Sequence, residues 1–475
     1  MKQITGADLF VKALKKEAVD ILFAYPGGQA IDLFDALYGE KEIDVILPRH
    51  EQGLIHAADG YARSTGKVGV CLVTSGPGAA NLVTGIATAN YDSDFYPEKI
   101  AVSGYEPDTS IHMGQLNKAL DILNHAVKPV FLIGGGVLIA RAKKEMTRLA
   151  ELTGVPVITT IMGKGAVPTA NSLYVGNIGI HGSYAENAKI IHIDVDAASI
   201  SRKIDVDVSI TADAKKAVCA LLEKAGPLCI SEWTDEINRW KKEYPIELRE
   251  AGMTPQRIIQ SINELFKDAV ITTDVGQNQL WTTQFLDIDE KKQMLTSGGL
   301  GTMGYGLPAG IGAKLGNPHK DVIVISGDGG MQMNIQEMAT AVVYELPIII
   351  CILNNGYLGN VRQWQEMFYE RRYSSTCMRY RRSCETGCNR PDHGCPEYTP
   401  DFIALAESYG AKGIRVIKAE DIKAALLNAK QNKKTPTIIE FIIDREANVM
   451  PIVPPGNPLH EMIPSVNDGI HALVR

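Results

Sequence analysis

The apolar run VIVIS leads into Gly327-Asp328-Gly329, and PIIICIL leads into Asn354-Asn355, with 26 residues from Asp328 to Asn354. That interval is long enough for a helix and one further parallel strand, so the spacing predicts both polar groups at the same edge of a sheet. A carboxylate beside a carboxamide oxygen suits Mg²⁺ shared with diphosphate oxygens, because this hard cation takes octahedral oxygen ligands. Taken singly, each motif is also an ordinary turn, and Asn355-Gly356 is a common turn dipeptide. Gly276-Gln277-Asn278 and the stretch from Ser297 through Gly301 and Met303 to Gly304 add loops whose backbone N–H groups can approach phosphate oxygens. Met303 reads equally well as core packing. Arg49-His50-Glu51-Gln52-Gly53 places a single acid at a helix start. Glu51 there is either an exposed helix-start carboxylate or, if it points into a dry cleft, a proton donor and acceptor of raised pKa. His50 and His56 have no cysteine or acid constellation that specifies zinc.

The elements that must position these groups follow from hydrophobic periodicity. Runs 269–273, 322–326 and 348–353 read as apolar strands ending in polar or glycine-rich turns, completed by helices over 400–409 and 420–428 and a strand over 435–443. Ligands of such sheets bind beyond the carboxyl ends of the strands. Nearer the N-terminus, a helix over 9–17, strands over 20–24, 43–47 and 68–73, the turn Pro26-Gly27-Gly28, and helices after Glu51 and Pro77 repeat the βα alternation. A middle segment has helices over 115–124 and 143–153, strands over 155–159 and 190–194, and a strand over 129–133 entering Gly134-Gly135-Gly136. That glycine run lacks the full Gly-x-Gly-x-x-Gly spacing, so nucleotide contact and close backbone packing both stay open. The polar stretch ANYDSDFYPEKIAVSG marks a boundary. The segments expected are 1–95, 105–230 and 254–445, with a proline-rich tail, 446–475, lying over a neighbouring surface.

Composition removes several function classes. The chain has 475 residues, about three ordinary domains' worth, with 45% hydrophobic and 22% charged residues, a balance that builds large cores and is unlike disorder. A net charge of −7 gives no broad attraction to nucleic acid or an anionic membrane. The N-terminus has no apolar signal core and no run is long enough to span a bilayer, which predicts a cytoplasmic protein. Eight cysteines are too sparse for a disulfide scaffold, but Cys377, Cys384, Cys388 and Cys395 crowd one basic segment with His393. Their spacing is not a paired C-x₂-C zinc signature, so zinc, redox use and plain reduced thiols all remain open, as does an influence of the segment on lid order.

The texts FAYPGGQAIDLFDAL, LPRHEQGLIHAADGYARSTGKVGVCLVTSGPGAANLVTGIATA, DVGQNQLWTTQF, TSGGLGTMGYGLPAGIGAKLGNP, SGDGGMQMNIQEMATA and CILNNGYLGNVRQWQEMFY resemble the acetolactate synthase (acetohydroxyacid synthase) large-subunit family of thiamine diphosphate-dependent decarboxylases. The resemblance implies an α/β, three-domain architecture with parallel sheets: a pyrimidine-binding domain, a middle Rossmann-like domain and a diphosphate-binding domain. It implies decarboxylation of pyruvate and transfer of the two-carbon unit to pyruvate or 2-ketobutyrate, feeding branched-chain amino acid synthesis. By motif, Glu51 corresponds to the acid that bonds the aminopyrimidine of thiamine diphosphate, with Gly27 and Gly53 against the reacting centre. Asp328, Asn355 and the backbone oxygen of Tyr357 correspond to Mg²⁺ ligands. Gln277 and Asn278 correspond to diphosphate contacts, Met303 to the support of the bent cofactor, and Gly301, Gly327 and Gly329 to its cradle. Gln363 and Trp364 match a segment bordering the substrate channel. The family also uses FAD structurally, for which Gly134, Gly135, Gly136, Gly163, His181 and Asp194 are the corresponding positions. It works as a homodimer or homotetramer, with Glu51 and Asp328 of one site supplied by different chains, and it binds a small regulatory subunit.

Two departures shorten the first and middle domains. After ATANYDSD the chain passes to FYPEKIAVSGYEP, which resembles the linker into the middle domain, so much of the pyrimidine-binding domain, including a Phe-Gln pair near the substrate, has no counterpart. After GIHGSYAEN it passes to AKIIHIDVD, without the strand and Asp-Asp-Arg loop that contact FAD in the family. Missing sheet strands and intersubunit surface bear on folding as well as chemistry. Three functions therefore stay open on sequence: acetolactate synthase, another 2-keto acid carboligase or pyruvate oxidase, and a non-catalytic remnant that joins an intact subunit.

Overall fold

The computed structural model describes residues 4–92, 111–178, 188–202, 204–246, 252–385, 388–390, 394–398, 400–454 and 457–464. The chain divides into two compact units. One comprises Met1–Asp92, Arg249–Leu286 and Lys291–Asn448, the other Ser93–Leu248, Asp287–Glu290 and Val449–Arg475. The segments 1–95 and 254–445, separate in sequence, thus contribute to one unit.

Alternating apolar residues build the N-terminal part of the first unit. β1 (Ile21–Tyr25) lies between β2 (Asp44–Ile46) and β3 (Val70–Val73), all parallel. Phe23 and Ile46 pack with Leu54, Ala57, Ala58 and Tyr61 on one face, and Leu22 and Ala24 pack with Val11 and Leu37 on the other. This is the period-2 division of a two-sided strand. The middle unit holds the parallel trio β4 (Phe131–Ile133), β5 (Val157–Thr159) and β6 (Tyr174–Asn177), and the separate parallel pair β7 (Ile191–Asp194) and β8 (Val208–Thr211). Both sheets bury side chains in a common core that includes Ile133, Val157, Val208 and Ile210.

The C-terminal part of the first unit is a six-stranded parallel sheet. β9 (Ala269–Thr273), β10 (Gln293–Leu295), β11 (Asp321–Gly327), β12 (Ile349–Asn354), β13 (Lys412–Val416) and β14 (Thr437–Ile442) take the order β10-β9-β11-β12-β14-β13. β9, β11, β12 and β14 are buried nearly end to end, as strands covered on both faces must be. Val270, Val322, Val324, Ile350, Ile352 and Ile438 form one apolar face against the Gly306–Gly316 and Phe402–Ser408 helices. The sequence reading placed the central strands but took Gly276-Gln277-Asn278 as a loop, whereas Gln277 opens the Gln277–Phe285 helix, and it did not place β10 or β13. Both are edge strands, short or half-exposed, and so carry little hydrophobic pattern. β13 lies between the two expected helices, and the second of these is a 3₁₀ turn, Ala419–Asp421, followed by Ile422–Gln431.

Two helices join the halves of this unit. A Cβ on Gly60 of the Glu51–Thr65 helix would stand 2.2 Å from the Ala309 oxygen, and one on Gly312 of the Gly306–Gly316 helix 1.8 Å from the Ala57 oxygen. Glycines facing one another's backbones let the helices approach more closely than any side chain permits. Beside this seam Tyr305 donates to Asp59 at 2.7 Å and Arg63 donates to Tyr305 at 2.9 Å. The tail is described only to residue 464, where Ile452 and Ile463 form an antiparallel bridge. Among the described residues no helix is long and apolar enough to cross a membrane.

Candidate active site

Strand register brings the first cluster together. Thr273 pairs with Ile325, and Gly327 pairs with Leu353, so residues just past β9, β11 and β12 emerge at one sheet edge. Asp328, 2% exposed, accepts from the Gly356 N–H at 3.0 Å. Burial pushes its carboxyl up to about 7, against hydrogen bonds from its own backbone, Gly356, Tyr398 and Gly329. The Asn355 amide oxygen accepts from Tyr357 N–H at 3.0 Å, and its NH₂ donates to Gln277 at 3.2 Å. Gln277 donates onward to Gln363 at 2.9 Å and to the Ala447 carbonyl at 3.0 Å. Asn278 donates to the carbonyls of Asp274 and Ile325, both at 3.0 Å, which holds its amide oxygen near the Gly276 and Gly327 backbones. Met303 reaches Gly329, where an added Cβ would meet its methyl at 3.7 Å, and Gly301 is at φ +75° in the same loop. Trp364 lies partly buried one residue beyond Gln363 on the Gly359–Phe368 helix.

A second cluster forms beyond β1 and β3. Glu51 opens its helix, and Asn81 donates to its carboxylate at 3.0 Å. A Cβ on Gly27 would collide with Thr74 at 2.5 Å, and one on Gly78 would lie 3.0 Å from Thr74 and 3.4 Å from Glu51. Gly27, Thr74, Gly78 and Glu51 are therefore successive neighbours. Gly53 has a different neighbour, because a Cβ there would stand 2.5 Å from the Glu337 carboxylate.

Sequence reasoning assigned no role to three buried acids that shape these clusters. Asp274 accepts from the N–H groups of Val275, Gly304 and Gly306 and folds the loop after Met303 onto the sheet. Asp92 accepts from Gly299 at 2.6 Å and Leu300 at 3.2 Å. Glu337 accepts from Arg49 and His50. Asp274 and Glu337 stand inside motifs already noted. Their signal is an acid in a glycine-rich or apolar context, but no spacing rule pairs residues 288 positions apart.

The cysteine segment folds against the same edge. Arg445 donates to the sulfurs of Cys395 at 3.1 Å and Cys377 at 3.6 Å, to the Asn355 carbonyl at 3.3 Å, and lies 4.6 Å over the Tyr357 ring. Cys384 instead accepts from the Arg381 N–H and Cys388 donates to the Arg390 carbonyl. Among the described residues no group of three or more His, Cys, Asp or Glu side chains comes together to hold a metal, so the four sulfurs are not one such group. His393 lies outside the described residues.

In the middle unit a Cβ on Gly134 or Gly136 would meet nothing within 4 Å among the described residues, Gly135 lies against Met162, and Asp194 ends a strand of the other sheet, its carboxylate accepting from Asp196 N–H. A Cβ on Gly163 would strike the Ile133 carbonyl at 2.0 Å, so that glycine is needed for backbone packing. His181 lies outside the described residues.

Residues 274–441 match the thiamine pyrophosphate enzyme C-terminal TPP-binding domain, 4–124 the N-terminal TPP-binding domain and 116–188 the central domain. The acetolactate synthase large subunit of Corynebacterium glutamicum is 36% identical over 573 aligned positions, spanning 96% of this chain and 89% of the relative. The chain belongs to the acetolactate synthase large-subunit family. It is thus a thiamine diphosphate enzyme of the carboligase, or transferase, type. The probable acetolactate synthase large subunit of Methanococcus aeolicus is 34% identical across 98% of this chain and 96% of its own. Isozyme 3 of Escherichia coli is 31% identical across 97% and 99%. The 573 aligned positions exceed this chain's 475 residues, so the family member carries internal segments with no counterpart here.

Proposed function

We propose that this chain is the catalytic subunit of an acetolactate synthase, decarboxylating pyruvate and joining its two-carbon unit to pyruvate or 2-ketobutyrate. The observation that carries the reading is the gathering of Gln277, Asn278, Asp328 and Asn355 in one hydrogen-bonded edge beyond three adjacent parallel strands. A carboxylate sealed from water and bonded mainly to backbone favours a cation beside it, and the side chains of Asp328 and Asn355 with the Tyr357 carbonyl are a hard-oxygen set of the kind Mg²⁺ takes. Thiamine diphosphate, when bound, supplies a nucleophilic carbon that attacks the keto carbon and retains the electron pair released with CO₂. Gln277 and Asn278 would hold the diphosphate, Met303 would lie against the cofactor, and Gln363 and Trp364 would border the path of the 2-keto acid. Glu51, held by Asn81, moves the proton at the aminopyrimidine ring. FAD takes no part in these steps.

The working unit in this reading is a cytoplasmic homodimer or homotetramer in which Glu51 serves the Asp328 cluster of a second copy, with a small regulatory subunit as a further partner. The test is acetolactate formation from pyruvate by the purified chain with thiamine diphosphate, Mg²⁺ and FAD. Turnover that disappears in Glu51→Gln is the expected result. A folded, cofactor-binding protein without turnover would replace this reading with a non-catalytic subunit.

A further inference from the structure

We infer that Glu337 is the positioning residue for Glu51, acting through the backbone that starts the Glu51–Thr65 helix. The inference rests on the proton-transfer role proposed for Glu51, but the contact itself does not. Glu337 ends the 3₁₀ turn Ile335–Glu337 and is 1% exposed. Its carboxylate accepts from Arg49 N–H at 3.0 and 3.1 Å, from His50 N–H at 3.0 Å and from the Thr340 hydroxyl at 2.7 Å. The two amides immediately before Glu51 are thus fixed by one buried side chain from the far half of the unit.

Other residues around this contact are arranged for it. Gly53 leaves the space the carboxylate occupies, since a Cβ there would lie 2.5 Å from its oxygen. His50 occupies the helix N-cap, its ring nitrogen accepting from Gln52 N–H at 3.1 Å while its own backbone N–H donates to Glu337, so the helix start is tied from both sides of this residue. N–H groups at a helix start have no intrahelical partner, and an anion is the acceptor that suits them best. Glu51 is bonded directly to His50, so the tilt of the peptide before Glu51 sets where its carboxylate stands relative to Asn81. A displacement of about 1 Å in a proton-transferring group is enough to cost roughly 100-fold in rate.

The same short stretch carries Asp328 at its start and Glu337 at its end. If Glu51 serves a second copy's cofactor, the segment after Asp328 therefore holds both the diphosphate edge of one site and the helix start that supplies the acid to another.

The test compares wild type with Glu337→Gln and Glu337→Asp. Amide hydrogen exchange over residues 47–53 is read in cofactor-free protein, together with thiamine diphosphate affinity and the exchange rate of the cofactor's thiazolium C2 proton as a function of pH. In Glu337→Gln the expected result is amide exchange at Arg49 and His50 faster by about 10-fold or more, C2 exchange slower by about 10-fold or more with a displaced pH profile, and cofactor affinity changed less than about threefold. Glu337→Asp should recover part of the C2 rate. A purely structural role predicts lower melting temperature and faster amide exchange with C2 exchange and its pH profile unchanged, and that outcome would overturn the inference. If Glu337→Gln fails to fold, Glu337→Asp decides by the same criteria. C2 exchange requires only bound cofactor, so absence of acetolactate formation would count against the proposed function without touching this result.

Discussion

Glu51 and Asp328 fail in different ways when substituted. Replacing Glu51 with Gln preserves size and leaves the Gln277, Asn278 and Asp328 cluster intact, so turnover should drop by about 100-fold or more while thiamine diphosphate still binds, as read by turnover and by calorimetry. Asp328→Ala removes the buried carboxylate that accepts from Gly356 N–H, and the Mg²⁺-dependent part of cofactor affinity should vanish in a binding titration at varied Mg²⁺. His56 gives the molecule an acid limit. It is fully buried, its ring packs edge-to-face with that of Tyr305 at 5.6 Å between centroids, and neither ring nitrogen has a hydrogen-bond partner among the described residues. Burial lowers its pKa from 6.5 to about 4, partly offset by Asp59. The unfolded chain therefore takes up this proton more readily, so stability is intact above about 6.5 and is lost as pH falls toward 4, by up to about 3 kcal/mol from this group. His56→Leu should flatten the acid side of a melting-temperature profile; an unchanged slope would assign acid sensitivity elsewhere.

Among the elements, the seam between the Glu51–Thr65 and Gly306–Gly316 helices has the least tolerance. Gly312→Ala sets a methyl 1.8 Å from the Ala57 carbonyl, backbone that no rotamer change relieves. A loss of about 3 kcal/mol or outright misfolding is expected in thermal melts, against a neutral or slightly stabilising Gly6→Ala, whose Cβ meets nothing. The sequence displayed the central strands because a strand buried on both faces is a continuous apolar run. It displayed the Gly306–Gly316 helix poorly, because that helix is apolar or small all round and has no polar face to mark its period. Edge strand β13 was missed for the opposite reason, its KGIRV being half solvated.

Across the whole molecule, the proposal that Glu51 and Asp328 of one site come from different chains has a direct test. Glu51→Gln and Asp328→Ala, each inactive alone, should regain about a quarter of wild-type activity when co-expressed, since half of a random dimer population carries one intact site of two. No recovery in verified mixed dimers would place each site within one chain. What the sequence by itself determined was local or near-local. Strand runs end in Asp328 and Asn355 because a parallel strand and its crossover have a fixed length, and the motif text carries the cofactor-binding family. What only the tertiary structure decided was which distant groups meet: Glu337 with the Arg49 and His50 amides, Asp92 with Gly299, Asp274 with Gly304, and Arg445 with Cys377 and Cys395. Periodicity reports the face on which a residue lies, whereas a buried carboxylate takes whichever unsatisfied N–H groups the packed elements bring to it, and no spacing along the chain encodes that encounter.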